Sequence, residues 1–299
     1  MSKIVVIGSS NTDMVIKSRH LPAPGETILG GEFLMNPGGK GANQAVAAAR
    51  LGGEVVFVAK VGNDIFGQEA VAGFKKEGIN TDFIVVDSEQ PSGVAIIMVD
   101  EKGENCISVA SGANNALCPA DVDRALEEID ASDVLLMQLE TPIETIEHAA
   151  ALGSEKGKTV ILNPAPAREL SDELLSKLDI ITPNESEAEI LTGIKVESPE
   201  DAKAASKALR GKGVGTVIIT LGSEGAYVES GAFSGMVPVR KVDVVDTTAA
   251  GDTFNGALAV ALAAGKGTED AVAFANAAAS ISVTRLGAQA SAPRLKELS

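Results

Sequence analysis

Val134-Leu135-Leu136-Met137-Gln138-Leu139-Glu140 is an almost unbroken apolar run that ends in a carboxylate. A strand with one wet face alternates apolar and polar residues. A run that is apolar at nearly every position is covered on both faces, as strands of a parallel sheet are. Five more runs read the same way, at residues 4–7, 55–61, 159–162, 180–182 and 216–221. Between them lie Ala-rich or amphipathic helical stretches, at 42–51, 66–77, 119–129, 143–156, 185–192 and 199–212. Short buried strands alternating with helices make an α/β fold with a mainly parallel central sheet. After residue 221 the pattern changes: 226–229 and 235–239 read as a hairpin at an antiparallel edge, and two long helices follow at 252–264 and 268–284.

Two segments break the alternation. Residues 14–35 contain alternating stretches without a crossover helix, and 93–99 pairs with 105–110 around the turn Asp100-Glu101-Lys102-Gly103. Neither fits a parallel sheet. They are expected to form a small β-sheet lid, discontinuous in sequence (roughly 14–35 and 93–110), over a single domain spanning 1–299.

The 299 residues carry a net charge of −16, with 45% hydrophobic and 22% charged residues, which is the profile of a globular chain. So acidic a protein is a poor partner for nucleic acid or an anionic membrane. No apolar run reaches the ~18 residues of a membrane span. The run at 4–7 is too short for a secretory signal, so a cytoplasmic protein is expected. Cys106 and Cys118 lack zinc-ligand spacing, and the only histidines are His20 and His148. That argues against a His-based triad or a His-rich metal centre.

Ligands of open α/β sheets bind beyond the carboxyl ends of the strands. Polar groups gather at those ends here: Asn11 and Asp13 after the first run, Glu140 after 134–139, Asn163, Asn184 with Glu187, then Thr220 and the turn Gly222-Ser223-Glu224-Gly225. One such residue is an ordinary cap or turn former; a row of them marks a site. No GxGxxG follows the first run, so the dinucleotide fingerprint is missing.

Two small-residue segments carry the chemistry. Asn36-Pro37-Gly38-Gly39-Lys40-Gly41-Ala42-Asn43 is not a Walker A loop, because Gly41 stands where Ser or Thr must follow the lysine. It offers bare backbone before a helix, with Asn43 able to donate and accept, which suits a face of sugar hydroxyls. The second is Asp246-Thr247-Thr248-Ala249-Ala250-Gly251-Asp252, running into an apolar helix. Free N–H groups at a helix start bind anions, and small residues let a phosphate approach. Asp252 in the first turn either offsets the helix dipole or deprotonates a hydroxyl beside a phosphoryl group.

Together these segments, with Asn184-Glu185-Ser186-Glu187 between them, make the chain resemble the ribokinase, or PfkB, family of carbohydrate kinases over essentially its whole length. The resemblance implies a three-layer α/β/α architecture and ATP-dependent phosphorylation of D-ribose at O5. It also implies that Asn11, Asp13, Gly39, Lys40, Asn43 and Glu140 line the sugar site, with Asp252 as the base. Ala249, Ala250 and Gly251 would offer N–H groups to the transferring phosphoryl group. Asn184, Thr220, Gly222, Ser223, Gly225 and Asn276 would contact ATP, and Glu187 would act on Mg²⁺ through water. Asp246 and Thr248, with Ser282, Arg285, Gly287 and Ser291, would hold K⁺ and fix the 249–252 turn. Lid strands would pair with those of a second subunit in a homodimer. One departure is local: Ser111-Gly112-Ala113-Asn114 stands where the family pattern begins with Pro, in a lid loop to which the resemblance assigns no chemistry.

Among related substrates, a sugar phosphate would call for more cationic residues than Lys40, and a nucleoside for stacking aromatics, which make up 3% of the chain with no Trp. An amide at Asn11 can bond a 2-hydroxyl, which favours ribose over 2-deoxyribose. A non-catalytic sugar or nucleotide sensor on the same fold would have no use for Asp252.

Overall fold

The computed structural model describes residues 2–298. Its strands are β1 (Lys3–Ile7), β2 (Asn11–Lys17), β3 (Glu32–Gly38), β4 (Glu54–Gly62), β5 (Ile84–Asp87), β6 (Gly93–Val99) and β7 (Asn105–Ala110), then β8 (Val134–Met137), β9 (Thr159–Leu162), β10 (Ile180–Ile181), β11 (Thr216–Thr220), β12 (Ala226–Glu229) and β13 (Ser234–Val237). The helices are α1 (Lys40–Arg50), α2 (Ile65–Lys76), α3 (Pro119–Asp123), α4 (Leu126–Asp130) and α5 (Ile143–Glu155), then α6 (Asp172–Leu175), α7 (Glu185–Thr192), α8 (Pro199–Gly211), α9 (Ala250–Ala263) and α10 (Thr268–Ser282).

Nine strands form the central sheet in the order β13-β12-β11-β10-β9-β8-β1-β4-β5. Pairing is parallel from β5 to β11, and only the β11–β12 and β12–β13 pairs are antiparallel, as the hairpin reading requires. The apolar strands are buried on both faces. Ile4 and Val6 of β1 enter a core with α1, α9 and α10, while Val5 and Ile7 enter a second core with α5, α7 and α8. A sheet between two helical layers is the expected α/β/α sandwich. Among the described residues no helix is long and apolar enough to cross a membrane.

β1 is the switch point. The chain leaves it through the lid and α1 to β4 on one side, and β8 pairs with it on the other. Crevices in such sheets open beyond the carboxyl ends at that point, so Ser9, Gly39, Lys40 and Glu140 are gathered there.

The lid is a separate four-stranded sheet in the order β3-β2-β6-β7. It starts earlier than expected: β2 begins at Asn11 and β3 runs on to Gly38, paired Asn11↔Gly38 and Asp13↔Asn36. Asn11 and Asp13 are therefore lid-strand residues, not residues of a loop after β1. The expected helix at 119–129 is two helices, because Ala125 N–H bonds the Val122 carbonyl in a tightened turn between them. The 134–139 run stops pairing at Met137, and the edge strand β5 has no counterpart in the sequence reading.

Candidate active site

α1 begins under the lid. Gly39, its N-cap, has φ +89°, and a Cβ there would lie 2.7 Å from the Asn11 nitrogen. Only glycine fits both demands. The tight turn lets Lys40 N–H donate to Glu140 Oε2 at 2.9 Å, while Ser9 Oγ donates to the same oxygen. Asp13 closes the other side, with its carboxylate 2.2–2.4 Å from where a Gly38 Cβ would be. Burial, then the charges of Glu140 and Asp252, push Asp13 up to about 6. Such a cluster of carboxylates is costly without a ligand that brings hydroxyl donors, and the buried Asn43 Oδ1 likewise lacks a partner.

Asn11 is oriented by a residue of the lid loop. Asn114 Nδ2 donates to Asn11 Oδ1 at 2.8 Å and to the Ser10 carbonyl at 3.1 Å, and Ser10 N–H donates to Asn114 Oδ1 at 2.9 Å. With Oδ1 taken, the Asn11 amide has its two N–H donors left for a ligand. The 111–114 loop, to which the resemblance assigned no chemistry, therefore does carry a polar role, through Asn114.

Asp252 sits at the third position of α9 and is buried. An acid there commonly caps its own helix. This one does not: Asn43 Nδ2 holds Oδ2 at 2.9 Å and Gln44 Nε2 holds Oδ1 at 2.9 Å. Burial raises its pKa; Lys40, Gln44 and Asn43 partly offset that, and Glu140 adds to it. An elevated carboxylate is a stronger proton acceptor than a free one. The preceding turn is forced into shape. Ala249, the N-cap, has φ +57°, the one non-glycine with positive φ among the described residues. Left-handed backbone at a residue with a Cβ costs about 1–3 kcal/mol and tends to be held at functional turns.

A cavity of about 190 Å³ opens before this turn, walled by Lys40, Asn184, Glu187, Thr220, Thr247 and residues 249–252. Lys40, expected at the sugar, thus also faces the side where Asn184 and Glu187 lie. Asn184 caps α7 by accepting from Glu187 N–H at 2.8 Å, and Glu187 Oε2 accepts from Asn184 N–H at 2.9 Å. Burial raises the Glu187 pKa, with the Asn184 N–H and Lys40 opposing. Thr220 is bridged to Asn184. Gly222, Ser223 and Gly225 form the turn after β11, outside the cavity wall. Asn276 is buried on α10, and its amide donates to the Val237 carbonyl at 2.9 Å. A larger cavity, about 430 Å³, lies at the opposite end of β2 by Lys17 and Arg19 and holds none of these groups.

Asp246 ties the lead-in turn to the segment after α10. Its Oδ1 accepts from Thr248 N–H at 2.9 Å and Thr248 Oγ at 2.6 Å, and its Oδ2 from Gly287 N–H at 2.9 Å. These bonds outweigh burial and lower its pKa. Ser282 and Ser291 are buried, and Arg285 pairs outward with Glu297. Among the described residues no three His, Cys, Asp or Glu side chains cluster as a metal centre. A cation bound here would be held by carbonyls, hydroxyls, water and phosphate oxygens.

Several site residues escaped the sequence reading: Ser9, Gln44, Asn114, Gln138, Thr182 and Asn255. Each is a polar side chain buried at 5% exposure or less, and only the tertiary structure reveals that burial.

The family model for pfkB carbohydrate kinases matches residues 1–295. The chain is 48% identical over 294 residues to a ribokinase of Haemophilus influenzae, covering 98% of this chain and 96% of that one. It is 40% identical to a deoxyribokinase of Salmonella typhi, covering 98% and 96%. The structure of Arabidopsis thaliana ribokinase complexed with ribose and ATP superposes with a TM-score of 0.92 at 35% identity, covering 100% of this chain and 98% of that one.

Proposed function

This chain belongs to the pfkB family of carbohydrate kinases, and from that premise we propose that it transfers the γ-phosphoryl group of ATP to O5 of D-ribose. One observation carries the reading. Asp252 is buried between a set of sugar-type hydrogen-bonding groups and a phosphate-sized cavity, and its oxygens are held by α1 instead of capping α9.

The sugar lies between α1 and the lid. Asp13 takes two hydroxyls, Asn11 donates to O2, and Gly39, Asn43 and Glu140 complete the contacts. Asp252 takes the proton from the 5-hydroxyl as its oxygen attacks the γ-phosphorus. The bond from that phosphorus to the bridging oxygen breaks, and ADP leaves. Negative charge spreads over the phosphoryl oxygens, where the N–H groups of Ala249 and Gly251 and the Lys40 ammonium stabilise it. The Ala250 N–H donates to the Thr247 carbonyl at 3.2 Å and would have to be shared with the phosphoryl group. Asn184, Thr220, Gly222, Ser223, Gly225 and Asn276 serve the nucleotide.

Glu187 fits a role toward Mg²⁺: its carboxylate lines the cavity and is fixed through Oε2, which suits a hard cation that keeps its waters. Mg²⁺ supplies charge neutralisation on the phosphates. K⁺ fits the carbonyl- and hydroxyl-rich region of Asp246, Thr248, Ser282, Arg285, Gly287 and Ser291. Its effect is to hold the 249–252 turn. The exposed apolar side chains of the lid (Phe33, Met35, Ile96, Ile107, Val109) support a homodimer through the lid sheets. Residues 1–299 act as one unit with its lid, in the cytoplasm.

ADP release measured across ribose, 2-deoxyribose, fructose, adenosine and fructose 6-phosphate, with and without K⁺, tests the reading. Ribose with K⁺ is expected to give the highest kcat/KM. A higher value for 2-deoxyribose, the substrate class named by the deoxyribokinase relatives, would reassign the sugar.

A further inference from the structure

A line of buried polar side chains that the reaction just described does not use starts at Gln44 and Gln138, behind the base, and continues through Asn163, Thr182 and Asn255 in the wall of the cavity of about 190 Å³. Gln44 is fully buried on α1, and both N–H groups and the oxygen of its amide are hydrogen-bonded. Nε2 donates to Asp252 Oδ1 at 2.9 Å and to Asn163 Oδ1 at 3.1 Å, and Oε1 accepts from Gln138 Nε2 at 2.6 Å. Asn163 Nδ2 donates to the Thr182 carbonyl at 3.2 Å. Thr182 Oγ1 donates to Asn255 Oδ1 at 2.6 Å, and Asn255 Nδ2 donates to the Gly251 carbonyl at 2.8 Å. The line runs from the base, through the ends of β9 and β10, back to the turn that precedes the base.

The direction of each bond follows from its ends. An ionised carboxylate only accepts, so Gln44 must turn its NH₂ toward Asp252, and its oxygen then needs a donor from behind. Gln138, 1% exposed after β8, is that donor. At the other end the Gly251 carbonyl also only accepts, so Asn255 must present NH₂ there and take the Thr182 hydroxyl on its oxygen. Both halves meet on Thr182 without conflict. Buried polar groups persist at a cost unless they are paired. In this set one atom lacks a partner, Gln138 Oε1 at the far end of the line, and the groups from Gln44 to the Gly251 carbonyl are joined around one carboxylate.

We propose that Gln44 is a positioning residue for the phosphoryl-transfer base, with its amide polarity set by Gln138 and its second N–H coupling Asp252, through Asn163, Thr182 and Asn255, to the anion-binding turn. The proposal rests on Asp252 being the base. Gln44 does two things: it fixes the carboxylate rotamer, and it stabilises the ionised form that accepts the proton. The charged groups facing Asp252 are Lys40 from α1, Glu140 beyond β8, Asp13 from β2 and Glu187 from α7. None of them is altered by changing Gln44.

The experiment is the pH dependence of kcat for Gln44→Met, Gln138→Met and Asp252→Asn in the full chain, with KM for ribose and ATP and thermal midpoints alongside. Methionine keeps the length and removes the donors. Losing a hydrogen bond to a charged group is expected to lower the kcat plateau of Gln44→Met by about 10- to 100-fold and move its acid limb up by about one pH unit. Both KM values should stay within about twofold, since Gln44 touches Asp252 rather than substrate. Gln138→Met should shift the limb in the same direction by less. A merely structural Gln44 would lower the thermal midpoint and leave the limb in place, which overturns the proposal. Should Gln44→Met not fold, Gln138→Met decides, and an unmoved limb there also overturns it. Asp252→Asn separates the two levels. If it retains turnover, the base assignment falls. If it is inactive while Gln44→Met keeps the wild-type plateau and limb, only the positioning role falls.

Discussion

Asp13→Asn should make the ligand-free protein more stable and a worse enzyme, and the size of the gain can be worked from the site. Asp13 is raised from 3.8 to about 6 by burial and by the charges of Glu140 and Asp252. A carboxylate whose pKa rises on folding favours the folded state below its unfolded value and loses that contribution as pH climbs through about 6. Above pH 6 the ionised group therefore opposes folding. The full shift corresponds to about 3 kcal/mol at ~1.4 kcal/mol per pH unit. The side chain is only part-buried, so screening reduces this to about 1–2 kcal/mol. Asparagine keeps the shape and removes the charge. At pH 8 its thermal midpoint should lie roughly 1.5–3 °C above wild type, and the gap should shrink as pH falls toward 4.5. Circular dichroism melts of both proteins without ligand at the two pH values measure it. In the same variant KM for ribose should rise at least ~10-fold, because a bidentate charged acceptor is lost. A variant no more stable than wild type at pH 8, or a gap equal at both pH values, would refute the reasoning.

Three further outcomes are expected. Asn11→Met removes the donor assigned to O2, so kcat/KM should drop by about 10- to 100-fold for ribose and far less for 2-deoxyribose; equal losses would remove Asn11 from the 2-hydroxyl. Replacing K⁺ by Na⁺ or choline should lower kcat severalfold, and Asp246→Asn, which weakens the tie to Thr248 and Gly287, should blunt that salt response; identical rates in the three salts would dismiss the monovalent site. Gly39→Ala meets both a positive φ and the Asn11 nitrogen at 2.7 Å, and should cost about 3 kcal/mol of stability, read as a fall in the midpoint of urea unfolding.

The sheet could be read from the chain because strands buried on both faces have only one apolar pattern. Val134-Leu135-Leu136-Met137 and Ile4-Val5-Val6-Ile7 announce themselves as covered strands, and the structure seats them side by side. The turn at 249–252 was legible only in company: an acid in the first turn of a helix is ordinary, and it was the row of polar strand-end residues and the Gly39-Lys40-Gly41 segment that marked Asp252 as part of a site. What the sequence hid was burial of polar groups in ordinary-looking places. Gln44 sits in an Ala-rich helix and reads as a solvent-facing residue until α9 is packed against α1. Asn114 lies in a loop 103 residues from Asn11, and only the lid fold brings them to 2.8 Å. β5 is four residues long and half-exposed, too short and too mixed to signal a strand. The lid boundaries slipped because β2 carries Asn11 and Asp13 within the strand and β3 runs on through Asn36, Pro37 and Gly38, where alternation looks broken.

The central claim is that Asp252 removes the proton from the attacking hydroxyl. Single-turnover phosphorylation of ribose by Asp252→Asn, at saturating ATP and Mg²⁺, tests it most directly. General-base loss beside a developing charge should slow the step by about 10³- to 10⁴-fold, with ribose and ATP affinities within a few fold of wild type. A rate within about tenfold of wild type would contradict the account.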